Sequence, residues 1–302
     1  MALTAGPRLT LVVVTYHPGE ELTRLLDSLP AAAGAPVEVV LADNGDPSAP
    51  LDPAVAAAAA RPGVRVRRTG GNLGYGRAAN VAAATTTTEF LLVANQDLAF
   101  GPGALDVLLA AADAAPAAAS FGPRILTPDG VTYPSARELP SLGAGVGHAA
   151  FGWWWPGNPW TRRYRREREA LVTRPAGWLS GSCLMVRRTA WDAVGGFDPG
   201  YFMYFEDVDL GERLGRVGAN LYVPDAVVVH VGGTATSRDP RRMARAHHES
   251  AWRYLSRRYA GPRWLPVRLG LRVGLAARAA LAHRVRDVAS GARLESGTGT
   301  TR

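Results

Sequence analysis

Residues 195–218 read GGFDPGYFMYFEDVDLGERLGRVG and set Glu206, Asp207 and Asp209 at the mouth of a helix, behind the aromatic run 201–205. Carboxylates this close repel one another. Burial and repulsion raise the pKa of at least one unless a cation or donor compensates. Such crowding fits a general base or a metal neighbourhood. Acids also suit the positive end of a helix dipole, and the motif alone leaves that plainer reading open. Asn95-Gln96-Asp97 follows the apolar run FLLVA, where a carboxylate at a strand end can hold a divalent cation against phosphates. His230, after a run of valines, can add a nitrogen ligand, although a lone histidine is also compatible with a structural role. One oxygen and one nitrogen ligand with open positions suit Mg2+ or Mn2+ better than Zn2+.

Further polar motifs close other apolar runs. Thr15-Tyr16-His17 ends the first. Asp43-Asn44-Gly45 ends the second, and an Asp there can accept from the imide N–H of a pyrimidine base. Residues 70–80, GGNLGYGRAAN, lead into a helix whose free amides favour a diphosphate, with Asn72, Gly74, Arg77 and Asn80 as candidate contacts. The segment follows a third strand and lacks the dinucleotide-binding spacing, and the chain contains no P-loop.

The elements that must position these groups follow from periodicity. Short continuous apolar runs predict strands over 9–16, 37–41, 64–67 and 90–93. Helical patterns over 20–28, 54–60, 75–84 and 103–112 alternate with them. That alternation implies an α/β fold with a mostly parallel sheet covered on both faces, and ligands bind such sheets beyond the carboxyl ends of the strands. Residues 124–176, rich in proline and carrying Trp153-Trp154-Trp155, Trp160 and the basic cluster 162–168, break the rhythm as an insert. Aromatics beside arginines suit an interfacial belt or a sugar platform; an aromatic mini-core under a loop is the other reading. Two strands are expected over 220–223 and 226–231, a loop over 232–240, and a helical tail beyond.

The chain has 302 residues, 47% of them hydrophobic, enough to bury a full core. Its single cysteine, Cys183, excludes an internal disulfide framework, and with six histidines argues against a structural zinc site. The formal charge is +8, but residues 238–302 hold 15 arginines against 4 acids, which leaves the rest at −3. The positive excess therefore points to an anionic partner for the tail: a membrane surface, nucleic acid or an acidic ligand. A negative body without a recognition module speaks against specific nucleic-acid binding. No secretory signal and no run long enough to span a bilayer is visible, so the expected location is cytoplasmic, peripheral on the inner face of the cell membrane.

Taken in order, VVTYH, ADNGD, GGNLGYGRAAN, ANQD, WLSGSCLMVRR, GGFDPGYFMYFEDVDLGERL and VVVH resemble an inverting family 2 glycosyltransferase of GT-A fold, over roughly residues 9–235. TYPSAR, NPWTRRYRRER, PAGWLSGSCLMVRR and YFMYFEDVDL resemble, more narrowly, the actinobacterial rhamnosyltransferases that build the linker between peptidoglycan and arabinogalactan. The resemblance implies a GT-A domain over 1–235 containing the insert, a basic helical region over 236–289 and a disordered tail over 290–302. It implies dTDP-β-L-rhamnose as donor and a GlcNAc-diphospho-decaprenol acceptor. It assigns Asp207 as catalytic base, with Glu206 and Asp209 orienting the site. Asp97 and His230 become metal ligands; Asn95 stands where the family carries an acid, so Asp97 is the main carboxylate. Asp43 matches the acid that reads the base. Thr15, Tyr16, Asn44, Asn72, Gly74, Arg77, Asn80, Asn95 and Gln96 complete the nucleotide-sugar side, and Trp178, Gly181 and Ser182 form the acceptor side, with Trp178 stacking on the sugar. The rivals are transfer of galactofuranose or another dTDP-hexose, and a sugar-1-phosphate nucleotidyltransferase. The last requires a basic glycine-rich loop after the first strand, which TYHPGEE does not offer.

Overall fold

The computed structural model describes residues 6–140, 171–230, 240–270 and 272–274. The strands are β1 Leu9–Thr15, β2 Glu38–Asp43, β3 Val64–Arg68, β4 Phe90–Asn95, β5 Leu98–Phe100, β6 Ala118–Leu126, β7 Thr132–Tyr133, β8 Ala136–Arg137, β9 Arg174–Ala176, β10 Trp178–Leu179, β11 Cys183–Arg187 and β12 Ala219–His230. The helices are α1 Glu20–Ala32, α2 Pro53–Ala59, α3 Tyr75–Ala83, α4 Ala104–Ala114, α5 Arg188–Val194, α6 Glu206–Leu214 and α7 Pro240–Arg258.

Ten strands form one sheet, whose main path runs β3-β2-β1-β4-β11-β6-β12-β5, with β7 on β6 and β9 on β12. The β3-β2-β1-β4 half is parallel throughout. β11 runs antiparallel to both β4 and β6, and β6 pairs parallel with β12. Side-chain alternation along each strand feeds two cores. Leu9, Leu11 and Val13 of β1 join one with α1, α2 and α4. Val12 and Val14 join the other with α3, α5 and α6. The apolar runs are continuous because both faces of the sheet are covered.

Two expectations need correction. The segments 220–223 and 226–231 are one strand, β12, whose register slips between Val223 and Val227. Pro224 lies in that slip and has no N–H to donate to a ladder, so it breaks the pairing without ending the strand. The expected insert also has structured ends. β6 runs into it, and β7, β8 and β9 lie inside it, with β8 pairing β10 as a separate small sheet. Its tryptophans 153–155 and 160, the 162–168 cluster, the 232–239 loop and the tail beyond 274 lie outside the described residues.

The chain divides into two compact units, 1–202 with 206–238, and 203–205 with 239–302. In the second, Ser250 Oγ of α7 donates to the Met203 carbonyl at 2.8 Å, and the His247 ring stands edge-on to Tyr204 and Phe205. Leu265, Leu269 and Val273 are exposed. Among the described residues no helix is long and apolar enough to cross a membrane.

Candidate active site

The carboxyl ends of β1, β2, β3 and β4 lie along one edge, because these four strands are parallel and in register there. Thr15 sits beside Asp43, Asp43 beside Arg68, and Val14 beside Asn95. This edge gathers the motifs picked out along the sequence. Asp43 is buried, accepts from the Gly45 amide at 3.2 Å and faces Arg68 Nε at 3.2 Å. Arg68 was not foreseen. It also donates to the carbonyls of Asp46 and Ala49, so one guanidinium holds the loop after β2 against the acid.

Several residues expected to touch the nucleotide sugar serve the protein's own backbone instead. Asn44 accepts from the Leu73 amide and from Thr69 Oγ1, and donates to Asn72 Oδ1 and the Gly74 carbonyl. These bonds shape the glycine-rich loop. Asn72 Oδ1 accepts from the Gly74 amide as well, which leaves its own side-chain N–H groups as the candidate contact. Asn80 spends both ends of its amide on the backbone of Phe197, at 2.7 and 3.0 Å. Gln96 is buried and accepts from the Tyr16 amide, and Thr15 Oγ1 bonds the Ala42 carbonyl. Tyr16 is half-buried, and Arg77 is exposed within the first turn of α3. Gly74 has φ 86°, and a Cβ there would stand 2.0 Å from the Phe202 carbonyl oxygen, so only glycine fits.

Asp97, Asn95 and His230 meet where β4 and β12 end. His230 Nε2 lies 3.1 Å from Asp97 Oδ1 and 3.2 Å from Asn95 Nδ2, and Asp97 is buried. A single ring nitrogen cannot donate to the carboxylate and accept from the amide at once. A neutral imidazole with its lone pair toward Asp97 is relieved by a cation between them, so the donor set fits a divalent ion. Among the described residues no group of three or more His, Cys, Asp or Glu gathers.

The three acids of α6 separate into two roles. Asp209 pairs with Arg213 one turn on, at 2.7 Å, and Arg213 also binds the carbonyls of Val194 and Gly196. That pair ties α6 to the turn after α5. Of the other two, Glu206 is buried and Asp207 half-buried. Burial, then the neighbouring Asp207 charge, pushes the Glu206 carboxyl up to about 8, and its Oε2 has no hydrogen-bond partner. Burial also raises Asp207, while the amides of Gly181 and Val208 and the charge of Arg137 favour its ionised form. The backbone enters this helix through Tyr204 and Phe205, two bulky residues with φ of 66° and 63°, a costly conformation that clusters at functional sites.

Trp178 does not form an open sugar platform. It is 6% exposed, donates through Nε1 to the Glu138 carbonyl, and carries the Arg137 guanidinium 5.3 Å above its ring. Gly181 contacts the acid rather than standing apart for an acceptor: its amide donates to Asp207 Oδ2 at 3.0 Å, and a Cβ would stand 3.1 Å from Asp207 Cβ. Ser182 is half-buried, its hydroxyl 2.9 Å from Ser180 Oγ, and its carbonyl accepts from the Asn95 amide at 2.9 Å. Residues 181–182 therefore connect the acid of α6 to the end of β4. Burial of the Tyr75 hydroxyl raises its pKa well above the ordinary value, and Glu206, Asp207 and Asp97 all add to the shift.

The model of the family Glycosyl transferase family 2 matches residues 10–195. A relative from Mycobacterium tuberculosis, described as N-acetylglucosaminyl-diphospho-decaprenol L-rhamnosyltransferase, is 48% identical over 286 residues, covering 90% of this chain and 92% of its own. Among solved structures, the mannosyltransferase PcManGT from Pyrobaculum calidifontis in complex with GDP-Man and Mn2+ superposes with a TM-score of 0.55 at 19% identity, over 96% of this chain and 81% of its own. S. aureus TarS 1-349 in complex with UDP gives 0.52 at 17% identity, over 80% and 65%. These two structures share the GT-A fold with the chain.

Proposed function

The chain belongs to glycosyltransferase family 2, and from that premise we propose that it moves L-rhamnose from dTDP-β-L-rhamnose to the GlcNAc of a decaprenyl-diphosphate carrier. The observation that carries this reading is the 48% identity, sustained over nine-tenths of both chains, to a relative whose name states that transfer. The site supplies a physical route. Asp207 is half-buried and keeps two amide donors, so it can hold a negative charge where it is only partly solvated and take a proton there. In a single in-line displacement, the acceptor hydroxyl oxygen bonds to the anomeric carbon while its proton passes to Asp207. The bond from that carbon to the diphosphate oxygen breaks, and its electron pair leaves with dTDP. Attack from the opposite face gives an α-L-rhamnoside. Mg2+ or Mn2+ held by Asp97 and His230 would supply positive charge where the diphosphate gains negative charge. In this reading Asp43, at the end of β2, meets the base, and the side-chain N–H groups of Asn72 meet the diphosphate. The arginine surplus after residue 238 supports a peripheral seat on the anionic inner face of the membrane.

The test is to incubate the purified protein with Mg2+ or Mn2+, dTDP-rhamnose and a GlcNAc-diphospho-polyprenol, and to weigh the lipid product. A mass gain of one deoxyhexose, lost with EDTA and restored by the cation, is expected. Faster turnover with UDP-galactofuranose or another dTDP-hexose overturns the donor assignment.

A further inference from the structure

We propose that Tyr75 is a positioning residue for the catalytic base, acting through Gly181. Tyr75 is the first residue of α3, directly behind the glycine-rich loop, and its amide is held by the Phe202 carbonyl at 3.1 Å. Its side chain crosses to the other half of the site, where the phenol donates to the Gly181 carbonyl at 2.5 Å. The amide of that same glycine donates to Asp207 Oδ2. The two groups belong to successive peptide planes on either side of one Cα, so fixing the carbonyl restrains the torsions that aim the N–H. Glycine has no side chain to restrain it by packing, and a Cβ there would press on Asp207 Cβ at 3.1 Å and approach the Tyr75 ring at 3.6 Å. The close approach that lets the amide reach the carboxylate thus removes the usual means of orienting it, and Tyr75 replaces that means. The Asn95 amide bound to the Ser182 carbonyl holds the next peptide from the side of β4.

Asp207 has few other sources of compensation. Its second oxygen accepts from the Val208 amide, Arg137 of β8 acts on it at longer range, its own backbone amide adds a smaller contribution, and Glu206 beside it is an acid. Loss of the Tyr75 hydroxyl leaves the Gly181 carbonyl without its donor and slackens one of the two amides on the base. The carboxylate then binds a proton more readily and is held less firmly for attack. This inference rests on Asp207 being the base, and its test includes a readout that needs no sugar substrate.

The experiment uses full-length protein with 13C-labelled aspartate carboxyls, in wild type, Tyr75→Phe and Gly181→Ala, with Asp207→Asn to identify the resonance. Tyr75→Phe is expected to raise the titration midpoint of Asp207, to lower kcat roughly 10- to 100-fold with the donor KM unchanged, and to shift the acid limb of kcat upward by the same amount. Gly181→Ala should move the midpoint in the same direction. An Asp207 midpoint in Tyr75→Phe equal to that of wild type, in a protein with native chemical shifts elsewhere, overturns the proposal. Absence of transfer by wild type would instead count against the proposed function, with the titration still deciding the tether.

Discussion

Asn44, Asn80 and Gln96 are bonded to the protein's own backbone, whereas the mouth of α6 sets a buried Glu206 beside a half-buried Asp207. Asn44, Asn80 and Gln96 are occupied at both ends by loop amides and carbonyls. Glu206 Oε2 has no partner, and Asp207 has one amide on each oxygen. The difference separates two tasks. A surface that receives a nucleotide must be rigid before the ligand arrives, and internal hydrogen bonds make it so. A base must be able to gain a proton, and full compensation of its charge would prevent that. Asp209 illustrates the alternative: neutralised by Arg213, it serves as a structural brace.

The contrast breaks most visibly at Asp207. Asp207→Asn should lower kcat by about 10²- to 10⁴-fold while dTDP affinity, measured by calorimetric titration, stays close to wild type. Retained turnover removes Asp207 from the role of base. A smaller effect is expected at Glu206, whose carboxyl is pushed by burial, then by the Asp207 charge, up to about 8 from the ordinary 4.5. The folded protein keeps that proton where the unfolded chain has lost it. Glu206 therefore contributes stability that is full below about 4.5 and is lost as pH rises through about 8. Glu206→Gln mimics the protonated form. Thermal melts of this variant should show a flatter decline between those pH values, with Tm at pH 8 higher than wild type by about a few degrees and kcat at pH 7 within about threefold. Parallel melting curves for the two proteins would show that Glu206 is ionised throughout. The smallest expected effect on catalysis lies in the rigid half. Asn80→Ala loses both hydrogen bonds to Phe197 and should cost about 1–3 kcal/mol in urea unfolding, while the donor KM changes little. A large rise in KM with unchanged stability would return Asn80 to the ligand.

Much of the donor side was legible because strand ends announce themselves. A continuous apolar run followed by Asp43-Asn44-Gly45 or Asn95-Gln96-Asp97 places polar atoms at a sheet edge whatever the rest of the chain does. The fate of each side chain was less legible. Asn80 and Asn72 look alike in GGNLGYGRAAN, yet Asn80 reaches Phe197, distant in sequence, and only folding brings that backbone within range. Trp178 reads as a sugar platform until Arg137 is found over its ring. Arg68 and Tyr75 were missed as site residues. A cation at the end of β3 and a phenol directly behind Gly74 were the signals, but each acts on a partner that no local pattern names.

The amino-acid sequence by itself determined the sheet, its parallel half and the edge where the chemistry gathers, since apolar periodicity and strand-end polarity are local properties. It also determined that three acids crowd one helix start. Which of those acids is paired, which is buried without a partner and which receives backbone amides was decided only by tertiary structure. That outcome depends on burial and on donors brought from Gly181, Arg137 and Arg213, and the solvation of a charge is set by everything folded around it.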